Sequence, residues 1–263
     1  MESLLLCPVC GLPLVREARR FACGSCHSFD IAKEGYVNLL AGRAPAVGDN
    51  REMIAARRRT LESGIYAPLR DALAAAACGA DGAYLDAGCG EGYYTEAIAA
   101  ARAGETLGID VSKDALRLCG KRLQGATLAV GSVYHLPIAD GALSLISAIF
   151  APLATEEFAR TLRPSGRLLL AVPGPRHLFA LKQVLYDTPY ENAVQDTALD
   201  GFRLIDSVRV AFPFRLPTQA AIADLFTMTP YYYRTPAAGR ARLASLCELS
   251  AEAEFFVLSY ERL

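Results

Sequence analysis

Asp86-Ala87-Gly88-Cys89-Gly90-Glu91-Gly92 is the stretch on which the fold turns. It follows a short apolar run, Ala83–Asp86, that reads as a buried strand, and it precedes a helical stretch from Tyr93 to about Arg102. Glycines let the backbone turn sharply and leave no Cβ in the way of a ligand. A loop that ends on a helix N-terminus presents free N–H groups and a dipole to a negative group. The dinucleotide fingerprint G-x-G-x-x-G would put its third glycine one position later, where this chain has Tyr93. The early Gly92 and the leading Asp86 fit the loop that holds S-adenosylmethionine (SAM), with its methionine carboxylate at the helix end.

On the C-terminal side, strand and helix alternate. Thr106–Asp110 is a second strand, and Asp110 stands where a carboxylate can accept both ribose hydroxyls. Ser112 caps the next helix. Thr127–Val130 and Leu143–Phe150 are further strands, and Gly131-Ser132-Val133 is placed to border the adenine. Thr155 is expected to cap a helix that stops before Pro164-Ser165-Gly166, and Arg167–Val172 is the fifth strand. Helices near 178–186, 218–226 and 236–247, with strands near 202–210 and 254–260, complete a seven-stranded set. This order predicts an α/β, Rossmann-like methyltransferase domain with a mostly parallel sheet. The cofactor candidates are Asp86, Gly88, Gly90, Gly92, Tyr93, Tyr94, Asp110 and Ser132.

Toward the N-terminus the composition changes. Four of the eight cysteines lie in the first 26 residues, as Cys7-Pro8-Val9-Cys10 and Cys23-Gly24-Ser25-Cys26, with His27 directly after. Two residues between thiols let both point at one ion from a tight turn, and two such turns supply tetrahedral ligation, with zinc the default metal. Forty residues are too few to build a real core alone and need such a staple. Cys7, Cys10 and Cys23 are the firm ligands, and either Cys26 or His27 can be the fourth. Residues 41–50 read as a linker, and Asp49 or Asn50 can cap a helix running to about Ser63, stopped by Gly64. A second helix is expected over 68–78. The division that follows is a zinc-binding, zinc-ribbon-like module at 1–42, a helical linker at 43–80 and the methyltransferase domain at 81–263.

Hydrophobic residues make up 52% of the 263, enough for a large core. No apolar run approaches the roughly 18–20 residues of a membrane span. The short start before Cys7 does not resemble a signal peptide, so a cytoplasmic location is expected. A net charge of −1 says little about partners, and the run Arg57-Arg58-Arg59 reads either as a solvated helix face or as a basic contact.

The fourth strand runs into Phe150-Ala151-Pro152-Leu153, which should face the methyl group. The Asn/Asp-Pro-Pro-aromatic motif of exocyclic-amine methylation is absent, and no cysteine stands there for carbon-5 pyrimidine chemistry. Direct attack by a ring nitrogen or oxygen remains, a step that depends on in-line positioning. Arg176 and His177 are candidates for positioning the substrate, and no base is identified.

Taken end to end, the chain resembles the bacterial 23S ribosomal RNA guanine-N1 methyltransferases. The resemblance is carried by Cys7-Pro8-x-Cys10, the run Phe29-Asp30-Ile31-Ala32-Lys33-Glu34-Gly35-Tyr36-Val37-Asn38-Leu39-Leu40, Gly48-Asp49, Glu52-Met53 with Ala56-Arg57 behind them, Gly64-x-Tyr66-x-Pro68-Leu69, the glycine loop through Thr95, Gly108–Lys113, Ala151-Pro152, Pro173–Leu178 and Met228-Thr229-Pro230. It implies methylation of N1 of a guanine in a hairpin loop of 23S rRNA, a zinc module that grips RNA, a homodimer with a positively lined cleft, and His27 as fourth ligand. A base in such a loop would be pulled from its stack into the pocket. Pro164-Ser165-Gly166 departs from the family's Pro-Gly-Gly, a turn change with no expected chemical effect. The alternative reading is a small-molecule methyltransferase whose zinc module is purely structural.

Overall fold

A computed structural model describes residues 2–40, 50–193 and 197–263. Most of the expected 41–50 linker, with Gly48 and Asp49, lies outside the described residues.

A four-stranded antiparallel sheet opens the chain, built from β1 (Glu2–Leu6), β2 (Pro13–Arg16), β3 (Arg20–Cys23) and β4 (Ser28–Asp30). Then come β5 (Tyr36–Asn38), α1 (Arg51–Glu62) and α2 (Ala67–Ala77). Asn50 is the cap of α1: its Oδ1 accepts the Met53 N–H at 2.9 Å. Next follow β6 (Tyr84–Ala87), α3 (Tyr93–Ala100), β7 (Thr106–Asp110), α4 (Lys113–Arg122), β8 (Thr127–Val130), β9 (Leu143–Ile149), α5 (Thr155–Thr161) and β10 (Leu162–Pro173). The remainder is α6 (Phe179–Leu185), β11 (Phe202–Leu216), α7 (Gln219–Thr227), α8 (Tyr231–Arg234), α9 (Ala237–Ala244) and β12 (Leu249–Arg262).

Sheet order is β11-β12-β10-β9-β6-β7-β8-β5. The strands from β10 through β9, β6, β7 and β8 to β5 pair in parallel, and β12 runs antiparallel between β10 and β11. Strand order therefore reverses at β6, with β7 on one side and β9 on the other. A crevice opens at such a point, beyond the carboxyl ends of the strands.

Side chains alternate between two cores with the period of a strand. Leu85, Ile146, Leu168 and Leu258 point to one face, and Tyr84, Leu145, Leu169 and Val257 to the other. The first face is covered by Phe158 of α5 and by the Cys-rich module, whose Leu5, Cys7, Leu14 and Phe21 belong to the same core. The second face is covered by α1, α2, α6, α7 and α9, through Leu61, Leu69, Leu181, Ile222 and Leu243 among others.

The module is welded on by backbone. The Leu6 N–H donates to Pro137 O at 2.7 Å, and Leu5 bridges Ile138. Arg160 braces the receiving segment: it donates to Leu136 O, Ile138 O, Asp140 and Glu157, and Glu157 in turn accepts the Leu136 N–H. The partition at 42 and 80 is thus one of sequence and not of packing. Strand β5, inside the first segment, is the eighth strand of the large sheet, and α1 and α2 form part of a core layer.

Two local readings change. Thr155 is the first residue of α5 and not its cap; Ala154 holds that place, without a side-chain bond. Ser165 sits in the left-handed region at φ +58, so the Ser in Pro164-Ser165-Gly166 occupies the conformation that glycine takes freely.

Candidate active site and metal centre

The glycine loop joins β6 to α3 at the reversal point. Gly88 has φ +82, and a Cβ there would lie 2.6 Å from the Cβ of Ala151. Gly92 has φ +83, and a Cβ there would press on Cys119 and Leu123. Both positions need glycine for room as well as for backbone angle. The loop is tied across the sheet, since the Gly88 and Cys89 N–H groups both donate to Ile109 O.

Asp86 is 2% exposed, and both its oxygens are engaged. Thr95 Oγ1 donates to one at 2.5 Å and Ser147 Oγ to the other at 2.7 Å. Ser147 also contacts the Tyr84 hydroxyl at 2.7 Å. Asp86 therefore fastens β6 to α3 and β9, and burial pushes its carboxyl up to about 6. Asp110 is half-buried at the end of β7. Its oxygens accept the Gly90 N–H at 2.9 Å and the Ser112 N–H at 2.7 Å, leaving each with lone pairs directed elsewhere. Burial raises this carboxyl too, against those two N–H groups and Arg57. Ser132 follows β8 beside Asp110, where the Gly131 N–H donates to Asp110 O at 3.1 Å.

Three polar groups around the loop fit a ligand better than an empty core. Both Glu91 oxygens and the Tyr94 hydroxyl are buried without a hydrogen-bond partner among the described residues. Arg57 reaches toward them from α1, and its charge faces Asp110, Glu91, Tyr94 and Tyr66. A half-buried cation, the buried Glu91 and the half-buried Asp110 around a backbone cradle match the zwitterionic methionine end of SAM, whose carboxylate and ammonium need opposite partners.

Arg57 is conspicuous in the sequence, as part of the arginine run and of the family resemblance, but nothing there assigns it to the cofactor loop. The three consecutive arginines diverge. Arg58 pairs with Glu62 one turn on, at 2.7 Å, and Arg59 forks onto Asp224 at 2.7 and 2.6 Å. Helical spacing carried the signal, because Arg57 falls on the stripe of Met53, Ile54, Ala56, Thr60 and Leu61, all buried.

The candidates after β10 also part company. Arg176 is exposed, pairs with Glu191 at 2.8 Å and lies over the Phe179 ring at 4.6 Å. His177 packs on Phe255 with ring centroids 4.4 Å apart, and its Nδ1 accepts the Glu254 N–H at 3.3 Å. Burial, with the nearby Lys182 charge, depresses His177 to about 4, so the ring is neutral near pH 7 with its proton on Nε2. The Glu254 carboxylate locks this turn. It accepts the Arg176 N–H and the Arg209 guanidinium, which outweigh the effect of burial and hold it below the usual range.

In the Cys-rich module, one ligand atom from each of Cys7, Cys10, Cys23 and His27 falls within 4.8 Å of every other. Cys10 Sγ is 3.6 Å from Cys23 Sγ, and His27 Nδ1 is 3.6 Å from Cys7 Sγ and 3.5 Å from Cys23 Sγ. A tetrahedron of thiolates about 2.3 Å from zinc has edges near 3.7 Å, so the donor set fits the ion. The two turns explain which side chain completes the set. In the first, the left-handed residue is Gly11, after the second cysteine, at φ +72. In the second, Cys26 itself is left-handed, at φ +64, and exposed. The turn is one residue shorter, and His27 is the side chain delivered to the cluster.

Among the described residues no helix is long and apolar enough to cross a membrane.

With this geometry in place, comparisons with known proteins are specific. Residues 5–43 match a zinc-ribbon family described as the N-terminal part of RlmA, and residues 85–169 match a methyltransferase-domain family. A Micromonospora griseorubida protein described as a 23S rRNA (guanine-N1)-methyltransferase is 39% identical, over 93% of this chain and 92% of its own. A Streptomyces fradiae 23S rRNA (guanine(748)-N1)-methyltransferase is 38% identical over 69% of this chain and 67% of its own. A Bacillus subtilis relative of the same description is 31% identical over 89% and 88%. A solved Bacillus structure, YcgJ, superposes with a TM-score of 0.47 at 16% identity, covering 78% of this chain and 98% of that one. This chain belongs to the 23S rRNA (guanine-N1)-methyltransferase family, SAM-dependent enzymes with an N-terminal zinc ribbon.

Proposed function

We propose that this enzyme methylates N1 of a guanine in a hairpin loop of 23S rRNA. The observation that carries the reading is the pairing, in one packed unit, of a zinc ribbon with a SAM loop, in a chain that aligns nearly end to end with a relative described as a 23S rRNA (guanine-N1)-methyltransferase. Asp86, Gly88, Gly90, Gly92, Tyr93, Tyr94, Asp110 and Ser132 are assigned to the cofactor site, with Arg57 added as the cation for the methionine carboxylate. Cys7, Cys10, Cys23 and His27 are assigned to zinc, which supplies ligation for folding and takes no part in the transfer. The partition into 1–42, 43–80 and 81–263 describes the order in which the chain supplies RNA grip, cover and catalysis.

When bound, SAM supplies a methyl group on a sulfonium, electrophilic without further activation. The protein's part is to bring N1 into line behind that carbon. N1 held in that line would accept the methyl group and would lose its proton to solvent at the mouth of the site. Neutral His177 can donate from Nε2 to a guanine oxygen, and Arg176 can meet a phosphate once Glu191 yields. A homodimer in the cytoplasm completes the proposal.

Tritiated SAM with protein-free 23S rRNA tests it. Label in the RNA, with a primer-extension stop at one loop guanine, is the expected result, since methylated N1 blocks pairing. Label confined to small molecules would favour the small-molecule alternative.

A further inference from the structure

The mouth of the site holds one side chain that the cofactor residues do not explain. Phe150 directly follows β9, and its backbone is left-handed at φ +56, a conformation that bulky residues avoid. Its side chain repays little of this by burial, because the residue is 52% exposed. Strain of this kind persists where the surroundings impose it, and it concentrates at functional sites. The surroundings are on hand. Ala151, next in the chain, is the residue against which Gly88 is packed, so the end of β9 is fixed to the glycine loop.

The ring is held on edge and side. Tyr94 meets it edge-on at 6.2 Å between centroids, and Phe255 meets it at a tilt at 5.4 Å. His177 lies against the same Phe255. The remaining surface of Phe150 is open. Its place in the sheet decides what can lie there. Asp110 ends β7 and Ser132 follows β8, on one side of β6, whereas Phe150 follows β9 on the other side. The nucleoside of the donor and the exposed ring are thus separated by the strand that carries the loop, and the ring faces the side left for the acceptor.

We propose that Phe150 is the platform on which the target guanine stacks, setting the plane of the base so that N1 meets the methyl group in line. The inference rests on the rRNA reading above. Any base offers a π-face, so the platform positions without choosing a base, and choice falls to groups at the edge of the pocket.

The test compares wild type, Phe150→Leu and Phe150→Tyr, each with 23S rRNA and tritiated SAM, beside SAM binding measured by calorimetry. Leucine keeps apolar bulk and loses the π-face. The expected result is a kcat/KM for rRNA lowered roughly 10- to 100-fold in Phe150→Leu and restored to within about threefold in Phe150→Tyr, with SAM affinity unchanged in both. A Phe150→Leu enzyme within about twofold of wild type would overturn the proposal, as would a parallel loss of SAM affinity. A wild-type enzyme silent on rRNA would overturn the substrate reading, and this one with it, before any variant is compared.

Discussion

The zinc cluster and the glycine loop are both tight turns that gather polar groups, yet they are stabilised in opposite ways. In the ribbon, four donors stand within 4.8 Å of each other and few backbone bonds link the two turns directly. Without an ion that arrangement is a set of thiols and a ring crowded together. In the loop, the two aspartates find their partners inside the protein, Asp86 in Thr95 and Ser147, Asp110 in Gly90 and Ser112, while the Glu91 oxygens stay open to a ligand. The loop is built before its ligand arrives, and the ribbon is completed by its ligand. One end of the enzyme should therefore depend on metal, and the other on buried hydrogen bonds.

The largest effect is expected from Cys23→Ser. Structural zinc contributes roughly 10 kcal/mol or more to the folding of small modules. Metal analysis should show the zinc lost and rRNA methylation should fall by more than about 100-fold, while SAM affinity stays within about fivefold. Equal loss of SAM binding would mean that the packing of the ribbon against Leu136 and Ile138 also holds the cofactor loop in shape.

At the loop, Asp86 gives the next effect. Its folded carboxyl, at about 6 against an ordinary 3.8, holds its proton to higher pH than the unfolded chain does. The folded state binds the extra proton between those values, so this group makes stability fall as pH rises from about 4 to about 6, by roughly 3 kcal/mol, and adds no slope above. Urea melts of wild type and Asp86→Asn across that range should differ by this slope. A constant difference would mean that Asp86 ionises as an ordinary carboxylate.

Asp110→Asn should weaken SAM binding by roughly 10- to 100-fold in calorimetry, the range for losing charge-assisted hydrogen bonds, with zinc content unchanged. The smallest effect is reserved for Cys26→Gly. If His27 is the fourth ligand, zinc stays bound and relief of the left-handed strain raises stability by at most about 1 kcal/mol. Loss of zinc would instead make Cys26 the ligand.

Much was legible in the chain because backbone rules are local. The strand–glycine–helix order around Gly88 and Gly92, the acid ending β7, the caps at Asn50 and Ser112 and the paired cysteines each depend on neighbours a few residues away. The sequence by itself determined the α/β class, the cofactor loop and three of the four residues gathered at the metal cluster. Only the tertiary structure decided the rest. It turned Cys26 outward and His27 inward, because one left-handed residue shortened a turn. It separated Arg57 from Arg58 and Arg59, because a helix has faces that a run of letters does not show. It laid the ribbon and β5 against the sheet, and left Phe150 exposed beside the loop, because those contacts join residues from 56 positions apart (Tyr94 and Phe150) to 133 apart (Leu5 and Ile138), where no local pattern reaches.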